Sequence, residues 1–297
     1  MNSSAPAINI QNLAYSYGRA EAVHDLSLRV LPGRCYGLFG RNGAGKTTTM
    51  KCLLNLLRPK RGQVRVFGLD AANAEVEVKR RLAYVPDQLA FYPWMSVRET
   101  LDYLASFREH WNRKKEQELL DRFELEPAKR TGELSKGQRT QVGLIAATCP
   151  EPDLLVLDEP TSGLDPIVRR EFIETVIGAY QEGNPGNRTI LVSTHLITEF
   201  EGLIDEFTII DHGRSVLTLE ADEARERYRR IRARFSQTPP ELDLSAALRV
   251  RREGREVELI VNGSGPELLD RLRQHNPEAL STEALTLEEI FVAALKS

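Results

Sequence analysis

A glycine-rich segment between an apolar run and a helix-forming stretch constrains this chain more than any other feature. Its residues match the pattern GxxxxGK[ST], and they are Gly40-Arg41-Asn42-Gly43-Ala44-Gly45-Lys46-Thr47. The run Cys35 to Phe39 predicts a strand before it, and the stretch from about Lys46 to Leu57 predicts a helix. Glycines allow such a loop to wrap around phosphate oxygens, with N–H groups and the helix dipole directed inward. A chance glycine-rich turn is the alternative, and the flanking strand and helix argue against it.

The residues of this loop are therefore candidates for binding a nucleotide. The candidate set is Gly40, Arg41, Asn42, Gly43, Ala44, Gly45, Lys46, Thr47 and Thr48. Lys46 is expected to reach the β- and γ-phosphates and to assist catalysis, and Thr47 to ligate Mg²⁺. A nucleoside triphosphate and Mg²⁺ are the ligands that this chemistry implies.

A second segment places two acidic residues at the end of an apolar strand. Leu154 to Leu157 is apolar, and Asp158 and Glu159 follow it directly. Ligands bind at the carboxyl ends of strands in parallel sheets, which predicts that both acids lie near the phosphate loop. We expect Asp158 to hold Mg²⁺ through water and Glu159 to be the general base on the attacking water. Taken alone, a strand that ends in a helix-capping Asp would be the better interpretation.

Composition and charge narrow the possible partners and locations. The chain has 297 residues, with 40 basic and 43 acidic ones, and its net charge of -3 gives no electrostatic basis for nucleic acid binding. No apolar run reaches the roughly 20 residues of a membrane helix, and residues 1–7 lack the features of a signal peptide. The three cysteines have no metal-type spacing and are expected to be buried, reduced thiols. We therefore expect a soluble, cytoplasmic protein, for which any membrane role would have to come through another subunit.

Apolar periodicity predicts alternating strands and helices over the first two thirds of the chain. Residues 8–30 predict strands around a turn at Gly18, and the segments 154–157, 189–193 and 207–210 predict further strands. Alternation of strands with helices is typical of a mostly parallel sheet. The middle region, about 70–150, predicts mainly helices, two of which begin at capping boxes.

The C-terminal part predicts a small α+β domain. A hairpin around Glu253-Gly254, a helix near residues 266–274 and a last helix capped by Thr286 support this prediction. The arginine-rich stretch from 225 to 234 is expected to form a solvated helix face.

Together these segments resemble the ABC (ATP-binding cassette) ATPases. Leu134-Ser135-Lys136-Gly137-Gln138 is similar to the LSGGQ signature of that family and lies at the start of a predicted helix. In the family this segment contacts the γ-phosphate of ATP held by the opposite subunit. The resemblance therefore implies that Ser135, Gly137 and Gln138 bind nucleotide. Free N–H groups at a helix N-terminus also attract an anion, although a capping box alone would explain the pattern.

Further positions resemble functional residues of the family. Ser162-Gly163-Leu164-Asp165 resembles the D-loop, which lies across the dimer interface. His195 follows a predicted strand and resembles the switch histidine, whose neutral imidazole can bond the γ-phosphate and the attacking water. Tyr17 stands where the family stacks an aromatic ring on adenine. Tyr15 is the competing candidate, and an ordinary strand aromatic is the alternative for either.

Two positions depart from the family pattern. Lys136 replaces a glycine of the signature, and its charge can either favour the phosphate or point to solvent. In the family a glutamine near Mg²⁺ precedes a run like residues 89–93 of this chain. Asp87 occupies that place and Gln88 follows it, so either is a candidate metal ligand. A carboxylate there would add charge and tighten metal binding.

The resemblance covers about residues 8–215 and implies a fold. This fold is α/β, a P-loop NTPase ABC cassette with a mostly parallel core sheet, an antiparallel β subdomain and a helical subdomain at about 88–150. The predicted ATPase domain spans residues 8–220, and residues 221–297 form a small C-terminal α+β accessory domain. That extension resembles those of cassettes that serve type 2 ABC exporters of bacteria.

The implied function is hydrolysis of ATP that drives a separate integral membrane permease, with export as the expected direction. Two ABC ATPase subunits, as a homodimer or heterodimer, would close on ATP at the inner face of the cell membrane. The expected permease contact is the segment from Asp87 to Glu99, whose Phe91, Tyr92, Trp94 and Met95 are unusually apolar for a loop. Packing between subdomains is the alternative role for these side chains.

Two other classes of function compete with transport. A soluble cassette that acts on the ribosome or on DNA usually has two cassettes or a long coiled coil, and this chain has one phosphate loop and one signature. A regulatory module that does not hydrolyse ATP is the third class, and the presence of Glu159 and His195 argues against it.

Overall fold

The computed structural model describes residues 5–181 and 188–295. The strands are β1 Ile8–Tyr17, β2 Ala20–Val30, β3 Cys35–Phe39, β4 Arg61–Val66, β5 Leu69–Asp70, β6 Leu82–Val85, β7 Leu154–Asp158, β8 Thr189–Thr194, β9 Glu206–Asp211, β10 Arg214–Glu220, β11 Tyr228–Arg234, β12 Arg249–Glu253, β13 Glu256–Asn262 and β14 Ala279–Ala284. The helices are α1 Lys46–Leu53, α2 Glu75–Arg81, α3 Val97–Ala105, α4 Arg113–Arg122, α5 Lys136–Thr148, α6 Pro166–Gln181, α7 Ile197–Phe200, α8 Ala221–Arg227, α9 Gly265–Arg273 and α10 Leu287–Ala294.

The central layer is a sheet with the strand order β10-β9-β3-β8-β7-β6. All of these strands pair in parallel except β10, which runs antiparallel on the edge beside β9. Strands β3, β7 and β8 are buried along their whole length, as expected for parallel strands covered by other elements on both faces. The predicted mostly parallel sheet is confirmed, and β6 lies within the region that the sequence predicts as mainly helical.

Two hydrophobic clusters lie on opposite faces of this sheet. Successive side chains of β3 point to opposite faces of the sheet. Tyr36 and Leu38 therefore belong to one cluster, and Cys35 and Phe39 belong to the other. The first cluster contains the antiparallel sheet β2-β1-β4-β5 and α1. Helix α1 ends at Leu53, before the predicted Leu57, and Asn55 beyond it takes a left-handed conformation with φ of 54°.

The second cluster joins the sheet to the helices of the middle region. Helices α3 and α5 begin at complete capping boxes of Ser96 with Glu99 and of Ser135 with Gln138, as predicted. The buried Glu116 of α4 binds the guanidinium of Arg98. This ion pair joins α3 to α4, and both helices contact α5.

The C-terminal part contains an antiparallel sheet with the order β12-β13-β11-β14 and helix α9. The prediction of a helix over residues 225–234 holds only as far as Arg227, where α8 ends. It was wrong for the rest of that stretch, which is strand β11. The side chains there alternate between buried and exposed with a period of two, since Ile231 and Ala233 are buried between the arginines.

The last helix returns to the ATPase part of the chain. Leu287 and Ile290 of α10 belong to the same buried cluster as Phe200 of α7. The Leu287 N–H also donates to a carboxylate oxygen of Glu201 at 2.9 Å. The described residues contain no helix with the length and apolarity that crossing a bilayer requires.

Candidate active site

The glycine-rich loop joins the end of β3 to the start of α1. Gly45 precedes the helix with φ of +104°, and a Cβ there would lie 2.6 Å from the carbonyl oxygen of Ala22. Gly43 also has a left-handed φ of +83°, and a Cβ there would meet no atom within 4 Å. Gly45 is therefore required by conformation and by space, whereas Gly43 is required by conformation alone. The loop ends with the free N–H groups of the first turn of α1 beside it.

Lys46 is the first residue of α1, and its ammonium group turns back to the loop. It donates to the carbonyl oxygen of Gly40 at 2.7 Å and lies 2.8 Å from Oε1 of Glu159. The side chains of Lys46 and Glu159 are only 5% and 11% exposed. The predicted phosphate lysine and the predicted general base therefore contact each other directly.

Thr47 and Asp158 also meet, although 111 residues separate them. The Thr47 hydroxyl donates to Oδ1 of Asp158 at 3.1 Å, and Ser193 Oγ donates to the same oxygen at 2.5 Å. The hydroxyl of Tyr84 donates to Oδ2 at 3.3 Å. Burial raises the pKa of Asp158 above its ordinary value, with a further increase from the nearby charge of Glu159, and the three hydroxyl groups oppose this rise.

Ser193 and Tyr84 were not predicted as members of the site. Both come from strands next to β7, since Tyr84 lies in β6 and Ser193 in β8. Their position at the carboxyl edge of the sheet was the available signal, but the order of the strands is needed to use it.

The donor set around Asp158 fits Mg²⁺. A hydroxyl and a carboxylate are hard oxygen ligands, and Mg²⁺ at nucleotide sites commonly takes one or two protein ligands together with phosphate oxygens. Thr47 and Asp158 present such oxygens side by side at the end of the phosphate loop.

Glu159 lies directly against the predicted switch histidine. Its Oε2 is 2.7 Å from Nδ1 of His195 and accepts the backbone N–H of His195 at 3.3 Å. Glu159 adopts a left-handed φ of +47°, and its N–H donates to the carbonyl oxygen of Ser193 at 2.9 Å. The turn after β7 therefore aims this carboxylate between Lys46 and His195 instead of along the strand.

The signature segment lies at the start of α5. The Ser135 hydroxyl accepts the N–H of Gln138 at 3.1 Å, and a Cβ on Gly137 would lie 3.3 Å from Val168 of α6. Lys136 is exposed, and its ammonium donates to the carbonyl oxygen of Ser162 at 2.5 Å. In the ranges that the structure describes, no hydrogen bond joins this segment to residues 40–48 of the same chain.

Three further predicted site residues, Tyr17, Asp87 and Gln88, lie at the surface. Tyr17 is 49% exposed and packs edge-on against Tyr15, with ring centroids 4.9 Å apart. Asp87 and Gln88 are both exposed, just beyond β6. Neither of them forms a hydrogen bond to Thr47 or Asp158 within the described part of the chain, so their metal role stays a prediction.

Comparison with known proteins identifies the family. Residues 23–162 match the family described as ABC transporter. The bacitracin transport ATP-binding protein BcrA of Bacillus licheniformis is 34% identical over 225 residues, which cover 75% of this chain and 72% of that protein. The chain belongs to the ABC transporter family. It is therefore an ATP-binding subunit of an ABC transporter, and it hydrolyses ATP.

A second relative and a solved structure agree with this assignment. The Nod factor export ATP-binding protein I of Burkholderia orbicola (strain AU 1054) is 36% identical over 218 residues, covering 72% of this chain and 70% of that protein. A structure titled as the ATP-binding subunit of an ABC transporter superposes with a TM-score of 0.67 and 28% identity, covering 74% of this chain and 92% of that one. These similarities favour a transport ATPase over a cassette that acts on the ribosome or on DNA.

Proposed function

We propose that two copies of this ABC subunit, or one copy and a related subunit, enclose two Mg·ATP molecules between them. The observation that carries this proposal is the position of Glu159 between Lys46 and His195, next to the Thr47–Asp158 pair. These groups line the carboxyl edge of the core sheet beside the phosphate loop. Lys46 would exchange its contact with Glu159 for the β- and γ-phosphates, and Glu159 would then be free to take a proton from water.

Mg²⁺ would be held by Thr47 and Asp158, and when bound it would neutralise charge on the phosphate oxygens. The Asp158 carboxylate is already directed to that place by the hydroxyl groups of Ser193 and Tyr84. His195 would keep Glu159 oriented through the 2.7 Å contact and would place its imidazole beside the terminal phosphate. Tyr17 would supply the exposed ring on which adenine stacks.

The other half of each site would come from the second subunit. Ser135, Gly137 and Gln138 lie at the exposed N-terminus of α5, with backbone N–H groups of its first turn available to an anion. Because this segment does not contact the phosphate loop of its own chain in the described ranges, a partner subunit must bring the two together. ATP would therefore join the subunits, and hydrolysis would separate them.

Trapping of the dimer tests this assembly. Purified Glu159→Gln protein should elute as a monomer with ADP and as a dimer with Mg·ATP in size-exclusion chromatography with light scattering. Adding Lys46→Ala should abolish the ATP-dependent dimer, because the lysine holds the phosphates. A monomer of Glu159→Gln at saturating ATP would refute the proposed sandwich.

We also propose that a groove beside the helical region receives a short helix of the permease. The groove has a volume of about 1140 Å³, comparable to between two and three turns of a helix about 10 Å across. Core-sheet residues such as Leu82, loop residues such as Gln88 and Phe107, and helical residues such as Leu104 line it. The groove therefore touches β6, whose Tyr84 bonds Asp158, and α5, which begins at the signature segment.

Aromatic side chains extend from this groove over the surface. Phe107 and Trp94 are 67% and 66% exposed, and ring contacts connect them through Tyr103 and Tyr92. Phe91, by contrast, packs against the buried core. The packing role thus suits Phe91, while the exposed aromatics at the surface are suited to a partner.

Co-purification with the permease tests the groove. The variants Phe107→Arg and Trp94→Arg should lose the membrane subunit while they keep ATP binding, and Leu56→Arg, at another exposed residue that lines the groove, should behave alike. The exposed Val292→Arg on α10, outside the groove, is the matched control. Unchanged co-purification of all three variants would contradict the proposal.

We further propose that the chain serves export, at the inner face of the membrane, as Nod factor export ATP-binding protein I does by its name. The relatives match over 225 and 218 residues, close to the predicted ATPase domain of residues 8–220. Residues 221–297 are proposed as the accessory domain. Accumulation of substrate in inverted vesicles that contain the permease would test the direction.

A further inference from the structure

One side chain joins the signature segment to the D-loop of the same chain. The ammonium of Lys136, the first residue of α5, donates to the carbonyl oxygen of Ser162 at 2.5 Å. The neighbouring Gly163 has a φ of +70°, and a Cβ there would lie 2.8 Å from Lys136 Nζ. The glycine therefore leaves the space that the ammonium uses. This contact exists because lysine stands where the family signature has glycine.

The turn that accepts Lys136 begins at the proposed general base. The N–H of Ser162 donates to the carbonyl oxygen of Glu159 at 3.1 Å, while the Glu159 side chain contacts Lys46 and His195. One peptide segment, from Glu159 to Ser162, thus carries the base at its start and the lysine contact at its end. A shift of α5 would be transmitted through Lys136 to this turn.

The far end of the D-loop is held in a similar way. A guanidinium nitrogen of Arg169 donates to the carbonyl oxygen of Leu164 at 3.1 Å. The same guanidinium pairs with Glu199 of α7 at 2.7 Å. Arg169 thus ties this end of the loop to the helix that follows His195, and Lys136 ties the other end to α5.

We propose that Lys136 is a positioning residue that couples the two ATP sites of the dimer. The proposal rests on the function proposed above, in which α5 binds the ATP of the partner and Glu159 acts on the ATP of its own chain. Docking of α5 on that distant phosphate fixes Lys136, Lys136 fixes Ser162, and Ser162 fixes the backbone of Glu159. Lys136 therefore acts on the orientation of the base and does not bind a phosphate.

Steady-state kinetics of Lys136→Met test this coupling. The methionine side chain is unbranched and only one atom shorter, and it lacks the donor. We expect kcat to fall about tenfold, the effect of one charge-assisted hydrogen bond lost from a positioning element, with KM for ATP nearly unchanged and less cooperativity. Lys136→Arg should restore most of kcat, since a guanidinium can reach the same carbonyl. Lys114→Met, at an 88% exposed lysine of α4, is the matched control.

Hydrogen exchange gives a readout that does not depend on turnover. Lys136→Met should speed amide exchange in the peptide that contains residues 160–164 and leave the urea midpoint unchanged, because Lys136 is exposed. A raised KM with unchanged kcat would overturn the proposal and make Lys136 a phosphate ligand. Unchanged kcat together with unchanged exchange would overturn it as well.

The trapped dimer separates the two proposals. The double variant Glu159→Gln, Lys136→Met should still dimerise with Mg·ATP, because the lysine contacts its own chain. Loss of the dimer only in the double variant would overturn the coupling role, whereas loss of the dimer in Glu159→Gln itself would refute the ATP sandwich.

Discussion

Replacing Glu159 with Gln should separate ATP binding from ATP hydrolysis. The carboxylate contacts Lys46 Nζ through one oxygen at 2.8 Å and His195 Nδ1 through the other at 2.7 Å. Glutamine has nearly the same volume and keeps one acceptor oxygen, so the turn after β7 should retain its conformation. It has no charge for Lys46 and no basicity toward water. The substitution therefore removes chemistry with little change in packing.

The expected loss of turnover follows from the role of a general base. Positioned proton transfer contributes about 10²- to 10⁴-fold, so kcat should fall by that factor, or by about 3–5 kcal/mol of activation free energy. The expected gain in affinity comes from Lys46. A surface ion pair is worth about 0.2–1 kcal/mol, and this largely buried pair should reach the upper end of that range. Without a carboxylate that competes with phosphate for Lys46, the Kd for Mg·ATP should drop by up to about fivefold.

Two measurements check this prediction on the same protein. Phosphate release at saturating ATP gives kcat, and titration calorimetry of the isolated subunit gives Kd. Glu118→Gln makes the same chemical change at an exposed residue of α4 and should leave both constants unchanged. Turnover within threefold of the unsubstituted protein would remove Glu159 as the base. Weaker ATP binding would show that the contact with Lys46 supports the site instead of competing with phosphate.

Three further outcomes are expected. Ser135→Ala should lower the free energy of unfolding by about 0.5–2 kcal/mol through loss of the cap, measured by urea titration, and should also reduce kcat, which a merely structural cap would not do. Thr286→Ala should lower the free energy of unfolding by a similar amount and leave kcat unchanged. A clear fall in kcat for this variant would contradict the prediction. Burial raises the pKa of Cys52 to about 11 and of Cys149 to about 12, so both thiols should resist a maleimide at pH 8 until urea unfolds the protein. Rapid labelling in native buffer would refute the burial. Between about pH 9 and these raised values, the thiols lose their protons in the unfolded chain but keep them in the folded protein. Their contribution to the free energy of unfolding should therefore be lost as the pH rises through this range.

Features that depend on neighbours in the chain were predictable. The glycine loop needs only its own backbone conformations and the following helix, so GxxxxGK[ST] located it without a fold. The capping boxes at Ser96, Ser135 and Thr286 form within four residues, and the structure contains all three. Buried strands such as β7 can be recognised in the sequence as continuous apolar runs.

Other features required the order of strands in space. Tyr84 and Ser193 reach Asp158 only because β6 and β8 flank β7 in the sheet, and no spacing along the chain encodes that adjacency. The arginines of β11 illustrate a local ambiguity, since a short run of charged residues fits a helix face or a strand until its neighbours bury the alternate positions.

The sequence by itself determined the chemistry of this protein, because phosphate loop, paired acids and signature are each defined by residue types at short spacing. Tertiary structure alone decided the partner of Lys136. Its sequence neighbours allow an ammonium that binds phosphate, solvent or a carbonyl, and the packing of α5 against the D-loop, 26 residues away, places Ser162 within reach. Long flexible side chains take the partner that the fold brings near them, so their role follows from the contact and cannot be read from the residue type.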